Sequence, residues 1–161
     1  MANPEIILQL AARADAERIA SMSRDLIETG LGWSWTPARV TRSIECADTV
    51  VLVARAPQAV AGFAIMDFGA EEAHLNLLAV DSTWQQNGLG KRLVQWLEES
   101  ALVAGISVVY LEVRATNKGG QTFYERLGYR HVTRVAGYYC GRESAIRMGR
   151  DLWCTDAAGT T

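Results

Sequence analysis

The chain has 161 residues, 49% of them hydrophobic and 21% charged, with a formal net charge of −2 and a sequence pI near 5.7. That is the balance of a soluble globule able to bury roughly 70% of its unfolded surface without a staple, and it gives no electrostatic footing for nucleic acid or an anionic membrane. No apolar run reaches the about 18 residues of a membrane span, no basic-then-apolar leader is present, and Cys46, Cys140 and Cys154 lack C-x-x-C spacing, so a zinc site or disulfide framework is not expected and a reducing cytoplasm is.

Ile6 to Leu10 reads as a short strand. Asp15 to Ile27 follows as a helix with Ile19, Met22, Leu26 and Ile27 on one face and Gly30 beyond its end. Thr36-Pro37 has the form of an N-cap followed by proline at the first helical position, opening a second helix to about Cys46. Thr49 to Arg55 and Val60 to Phe68 read as strands around Ala56-Pro57-Gln58, and Glu71 to Asp81 as a third, turned at Gly69. A helix from Gly88 to Ala104 ends at Gly105. The β-branched run Ile106 to Val113 is the next strand. A short helix, Asn117 to Leu127, precedes Gly128, and Tyr129 to Thr133 and Ser144 to Leu152 are the last strands. Helices around a largely antiparallel sheet suit an α+β or three-layer α/β/α fold. Residues 1–152 are expected to form one domain and 153–161 a flexible tail.

The most informative stretch is Gln85-Gln86-Asn87-Gly88-Leu89-Gly90-Lys91-Arg92, between the apolar run Leu75 to Val80 and the amphipathic run Leu93 to Leu97. A glycine loop that opens a helix presents unpaired amides and the positive end of the dipole, a seat for phosphate or pyrophosphate. The spacing fails G-x-x-x-x-G-K-[ST], because Gly90-Lys91 is followed by Arg92. Gly88 and Gly90 fit the first two positions of G-x-G-x-x-G, and Glu112 imitates its ribose-binding acid, but Leu93 stands at the third glycine and the preceding strands form a meander rather than βαβ units. Coenzyme A, whose pyrophosphate needs the same donors, remains.

Q-x-x-G-x-G after a strand ending Ala79-Val80-Asp81 resembles the acetyl-CoA motif of the GNAT N-acetyltransferase superfamily. The resemblance continues through Leu111-Glu112-Val113-Arg114-Ala115-Thr116-Asn117, Phe123-Tyr124-Glu125-Arg126-Leu127-Gly128-Tyr129, Tyr138-Tyr139 and Ala145-Ile146-Arg147-Met148, and looks like the ribosomal-protein-alanine branch. It implies a mixed, mostly antiparallel sheet flanked by helices, in which the strands ending at Val80 and Val113 are parallel neighbours that splay apart. It implies acetyl-CoA as co-substrate, with the backbone of Leu78, Ala79 and Val80 bonding pantetheine like an added strand. Gln85, Gln86, Asn87, Gly88, Leu89, Gly90 and Lys91 would hold the pyrophosphate, and Asn117 would contact the cofactor as well as cap its helix.

The same resemblance makes Glu112 the general base and Tyr124 the acid that protonates the departing thiolate. Read from the residues alone, Glu112 is a strand carboxylate on the face opposite Leu111 and Val113, paired to a neighbour such as Arg114, and Tyr124 is a core aromatic beside Phe123 and Leu127. Gly119 and Gly120 make a weak helix start or a bare backbone packed on the cofactor. Trp33, Trp35, Tyr138 and Tyr139 would wall the amine, or serve as core and turn aromatics. His74 and His131 lack ligand spacing and read as surface or core histidines. No metal is expected. Cys140 where proline is common, and Val135-Ala136 in place of a basic pair, depart from the alanine branch. The expected enzyme is a cytoplasmic monomer or homodimer acetylating a protein N-terminal α-amine. The alternatives are a small-molecule amine acceptor and a non-catalytic acyl-CoA-binding module.

Overall fold

The computed structural model describes residues 5–85 and 87–154. The expected Gln86 contact and residues 155–161 of the expected tail lie outside them. The strands are β1 (Ile7–Leu10), β2 (Thr49–Ala56), β3 (Ala59–Phe68), β4 (Glu72–Val80), β5 (Val108–Arg114), β6 (Arg130–Tyr139) and β7 (Glu143–Asp151). The helices are α1 (Ala16–Leu26), α2 (Pro37–Glu45), α3 (Leu89–Val103) and α4 (Lys118–Arg126). The strands form one sheet in the order β1-β2-β3-β4-β5-β7-β6, mixed and mostly antiparallel, flanked by helices. β4 and β5 are parallel; their ladder joins Glu72 through Leu75 to Val108 through Leu111, and β4 continues to Val80.

Contacts group the residues into two compact units. The first runs to Asp67 and takes in Asn76–Leu97. Its core joins Ala16, Ile19, Ala20 and Met22 of α1 and Val40 of α2 to Val51 and Val53, Val60, Phe63 and Ile65, and Leu77 and Ala79. Leu26, at the last residue of α1, stays 42% exposed, and Ala20 and Ser23 are buried with Ile19 and Met22 instead. Thr36 Oγ1 accepts from the Arg39 amide at 3.3 Å with Pro37 at the first helical position, the cap expected for α2. A single 3-10 turn, Arg13–Asp15, precedes α1, and the Asp15 carboxylate accepts from the Ala12 amide and from Arg55, each at 2.8 Å.

The second unit holds Phe68–Leu75 and the described residues from Glu98 onward. Val109, Leu111 and Val113 of β5 and Ala145, Ile146 and Met148 of β7 are buried there, with Leu75 and Tyr129. Tyr129 donates its hydroxyl to Glu98 Oε2 at 2.9 Å, and Arg150 Nη1 lies 2.9 Å from Oε1, so this buried carboxylate is paired twice. Trp153, expected in the tail, donates its indole N–H to the Ile106 carbonyl at 3.2 Å.

The largest departure from expectation is β6, which reaches Tyr139 rather than ending near Thr133. Its pairing with β7 slips between His131 and Thr133 and again between Val135 and Tyr139. Gly137 takes φ 63° in the second slip. Bulges of this kind erase the period-2 alternation by which a strand is recognised. Tyr138 and Tyr139 therefore belong to the end of β6 and not to a loop. The turn that follows has Cys140 at φ 55° and Gly141 at φ 70°.

Candidate active site

Glu112 sits in the middle of β5, whose burial alternates strictly and leaves Tyr110, Glu112 and Arg114 on the half-open face. Its cross-strand partner on β7 is Arg147, and Arg147 Nε and Nη2 each lie 3.0 Å from Glu112 Oε1. On the other side, His74 of β4 is in register with Tyr110, two residues before Glu112 on the same face. His74 Nε2 hydrogen-bonds Glu112 Oε2. The Glu112 side chain is 7% exposed. Arg114 lies 3.2 Å from Glu143 and stacks over the Tyr139 ring at 5.8 Å.

Burial pushes the Glu112 carboxyl up, but the hydrogen bonds and charges of His74 and Arg147 outweigh it and hold the group below its ordinary value. The carboxylate is thus ionised at neutral pH and weakly basic for its depth. Tyr138 and Tyr139 of β6 feel the same charge. Burial first, then Glu112 for Tyr138 and Tyr138 for Tyr139, raise both phenols. Their rings meet edge to face at 4.8 Å.

Tyr124 of α4 is packed edge to face between Phe123, at 5.0 Å, and Tyr129, at 5.7 Å. Burial, and behind it Tyr139, push its phenol far above the usual range, so it stays protonated at any working pH. The core role and the acid role are compatible: packing holds the ring and keeps the proton. Asn117 Oδ1 accepts from the Gly120 amide at 2.8 Å and caps α4. A Cβ on Gly120 would come within 2.6 Å of Asn117 Nδ2, so the cap itself accounts for the glycine.

The glycine loop belongs to the first unit. Gly88 takes φ 72° immediately before α3, and a Cβ there would meet nothing within 4 Å. The space beside Gly88 at the helix start is therefore open, which fits a pyrophosphate. Leu89 is buried and anchors the first turn; Lys91 is exposed. Arg92 reaches the Ile6 carbonyl at 3.3 Å. Gln85 spends its amide on the Val80 carbonyl at 2.9 Å, and Asn87 Nδ2 lies 3.3 Å from the Trp84 carbonyl. At the end of β4, Leu77 and Ala79 are buried and Leu78 and Val80 half-buried. Gly62 lets β3 approach: a Cβ there would lie 3.0 Å from the Ala79 carbonyl oxygen.

Trp33 and Trp35 lie between α1 and α2. Trp33 donates its indole N–H to the Ala20 carbonyl at 3.1 Å, with Arg24 over its ring. Trp35 packs on the core of the first unit under the Arg39 guanidinium, 3.8 Å from its ring centre. The buried Glu28 carboxylate organises this loop, accepting from Ser23 Oγ at 2.9 Å and from the amides of Ser34, at 2.8 Å, and Trp35, at 3.3 Å. The sequence reading assigned no role to His74, Arg147 or Glu28. The alternation Ala73-His74-Leu75 carried part of the signal, placing His74 opposite the apolar face, but the register that brings it to Glu112 is not written locally. Among the described residues no cluster of three or more His, Cys, Asp or Glu could hold a metal ion, and no helix is long and apolar enough to cross a membrane.

A seven-stranded mixed sheet of this order, with a glycine-opened helix after β4, defines the acetyltransferase fold, and residues 19–129 match the Acetyltransferase (GNAT) family. The chain belongs to that family. The ribosomal protein bS18-alanine N-acetyltransferase of Escherichia coli K12 is 40% identical over 91 residues, 55% of this chain. The match spans 62% of that relative's length. The crystal structure of the ribosomal-protein-S18-alanine N-acetyltransferase from Escherichia coli superposes with TM-score 0.77 at 26% identity, covering 95% of this chain and 97% of that one. Arabidopsis thaliana NAA60 in complex with acetyl-CoA superposes with TM-score 0.79 at 19% identity over 91% and 98% of the two chains, a likeness of fold.

Proposed function

We propose that this protein is an acetyl-CoA-dependent N-acetyltransferase whose acceptor is the α-amine of a protein or peptide N-terminus. The observation that carries the reading is Gly88, left-handed and unobstructed at the start of α3, which gives pyrophosphate a seat. Family membership and the activity named for the Escherichia coli relative support it. Acetyl-CoA would supply the acyl group as an activated thioester. The amides from Asn87 to Lys91 hold its pyrophosphate, with Asn117 as a further contact, and the backbone of Leu78 to Val80 bonds pantetheine and polarises the carbonyl. The amine attacks directly in a ternary complex. Glu112 accepts the amine's proton, directly or through water, on lone pairs that His74 and Arg147 leave unused. Tyr124 donates its proton to the departing thiolate, and Trp33, Trp35, Tyr138 and Tyr139 contact the acceptor. The reading treats residues 1–152 as one catalytic domain working in the cytoplasm.

The test is thiol release from acetyl-CoA across N-terminal peptides, lysine peptides, polyamines and aminoglycosides, with wild type beside Glu112→Gln. Peptides with a small first residue should give the highest kcat/KM, and Glu112→Gln should keep acetyl-CoA affinity while losing about 10²-fold or more in rate. A polyamine or aminoglycoside well above every peptide would replace the acceptor and keep the enzyme class. Acetyl-CoA binding without any thiol release would make the chain a binding module.

A further inference from the structure

We propose that His74 is a positioning residue for Glu112: together with Arg147 it fixes the carboxylate, and its neutral form alone leaves Glu112 basic enough to take the amine's proton. This rests on the acetyltransferase reading and concerns its proton-transfer step.

The geometry supplies the first half. Arg147 of β7 holds Oε1 through two nitrogens, and His74 of β4 holds Oε2. Each oxygen is gripped from a different strand, so neither can rotate away without breaking a bond to a side chain set by sheet register. A carboxylate offers about four acceptor sites, which leaves room for the proton of an amine or water.

The second half follows from which neighbours can change charge. An arginine keeps its charge throughout the working range. Tyr138 and Tyr139 of β6 feel the carboxylate's charge, and burial first, with that charge among the further causes, raises both phenols, so they stay neutral through the working range. Of the side-chain types that meet Glu112 from β4, β6 and β7 among the described residues, histidine is the one able to change charge near neutral pH. Neutral, it donates one N–H to Oε2. Protonated, it makes an ion pair there, beside an arginine that has already withdrawn basicity from the same carboxylate. Brønsted behaviour then slows proton removal. The His74 side chain is 35% exposed against 7% for Glu112, so it has the readier access to solvent protons.

The experiment is the pH dependence of kcat at saturating acetyl-CoA and one saturating N-terminal peptide, for wild type, His74→Gln and His74→Ala, alongside nuclear magnetic resonance titration of the imidazoles in wild type. The chain has two histidines, so the His74 signal is assigned by its loss in either variant. Beside the acceptor amine's own titration, which every variant shares, wild type should show an acid limb that coincides with the His74 titration. Glutamine offers Glu112 an N–H but no charge, so His74→Gln should lose that limb, making the fall from pH 8 to pH 6 at least about threefold shallower, with KM for acetyl-CoA unchanged. His74→Ala should lose rate at every pH. A merely structural His74 would give the same profile shape in His74→Gln as in wild type, and that result overturns the proposal. So does an imidazole whose charge does not change across the wild-type limb, a readout that needs no variant to fold. Absence of thiol release by wild type is a separate result: it removes the acetyltransferase reading and this proposal with it.

Discussion

Glu112 and Arg147 stand directly opposite each other across the β5–β7 ladder, with two guanidinium nitrogens 3.0 Å from one carboxylate oxygen. The pair is at once part of the sheet and part of the site, and its loss should register in both stability and rate. Glu112 is depressed in the folded chain. The stability it contributes is therefore fully present above the unfolded carboxylate value of about 4.3 and is lost as pH falls through its lower folded value. Denaturant midpoints taken from pH 7 down to pH 2 should fall more steeply for wild type than for Glu112→Gln below about pH 4. Parallel curves for the two proteins would mean that the pair adds nothing to the fold.

Tyr124→Phe keeps the ring that packs between Phe123 and Tyr129 and removes only the hydroxyl. Melting temperature and acetyl-CoA affinity should hardly move, while kcat falls by about 10²-fold. Because burial keeps the phenol protonated, wild type should show no alkaline limb from Tyr124 up to about pH 10. A variant as fast as wild type assigns the thiolate's proton to another donor.

Gly88→Val places a branched side chain at φ 72°, where an L residue is strained by about 1–2 kcal/mol, and fills the space before α3. Calorimetric affinity for acetyl-CoA should drop at least about tenfold, and Gly88→Ala should fall between valine and wild type. Wild-type affinity in Gly88→Val, or a preference for NAD over coenzyme A, would remove the pyrophosphate from this loop.

The acceptor's own titration gives a further check. At pH 7 roughly a tenth of an α-amine is neutral, against less than a thousandth of a lysine. Turnover of an N-terminal peptide should level off by about pH 8.5, whereas any lysine acetylation should keep rising to about pH 10. A plateau shared by both acceptors would place the rate-limiting step elsewhere, in product release.

The elements with local punctuation were legible in the sequence. Thr36-Pro37 opened α2, Asn117 capped α4, and Gly105 followed α3, each through a contact made within a few residues. The glycine turn that opens α3 was legible because a left-handed Gly88 is also a local feature. What escaped depends on pairing between distant segments. His74 and Glu112 are 38 residues apart in sequence, and no pattern in either strand announces the parallel register that joins them. The length of β6 was hidden by its two slips against β7, and the Arg147 pairing by the ladder that sets Arg147 opposite Glu112.

Glu28 anchors the stretch between α1 and α2 from inside. One carboxylate receives Ser23 and the amides of Ser34 and Trp35, so the course of the backbone there is dictated by an acid and two serines. The acid fixes the far end of the stretch at Ser34 and Trp35, while Gly30 at φ 80° and Gly32 at φ 79° set the bends before it, where a side chain would be strained whatever the space around it. A carboxylate and two glycines thus divide the work of holding this stretch, one by hydrogen bonds and the others by backbone freedom.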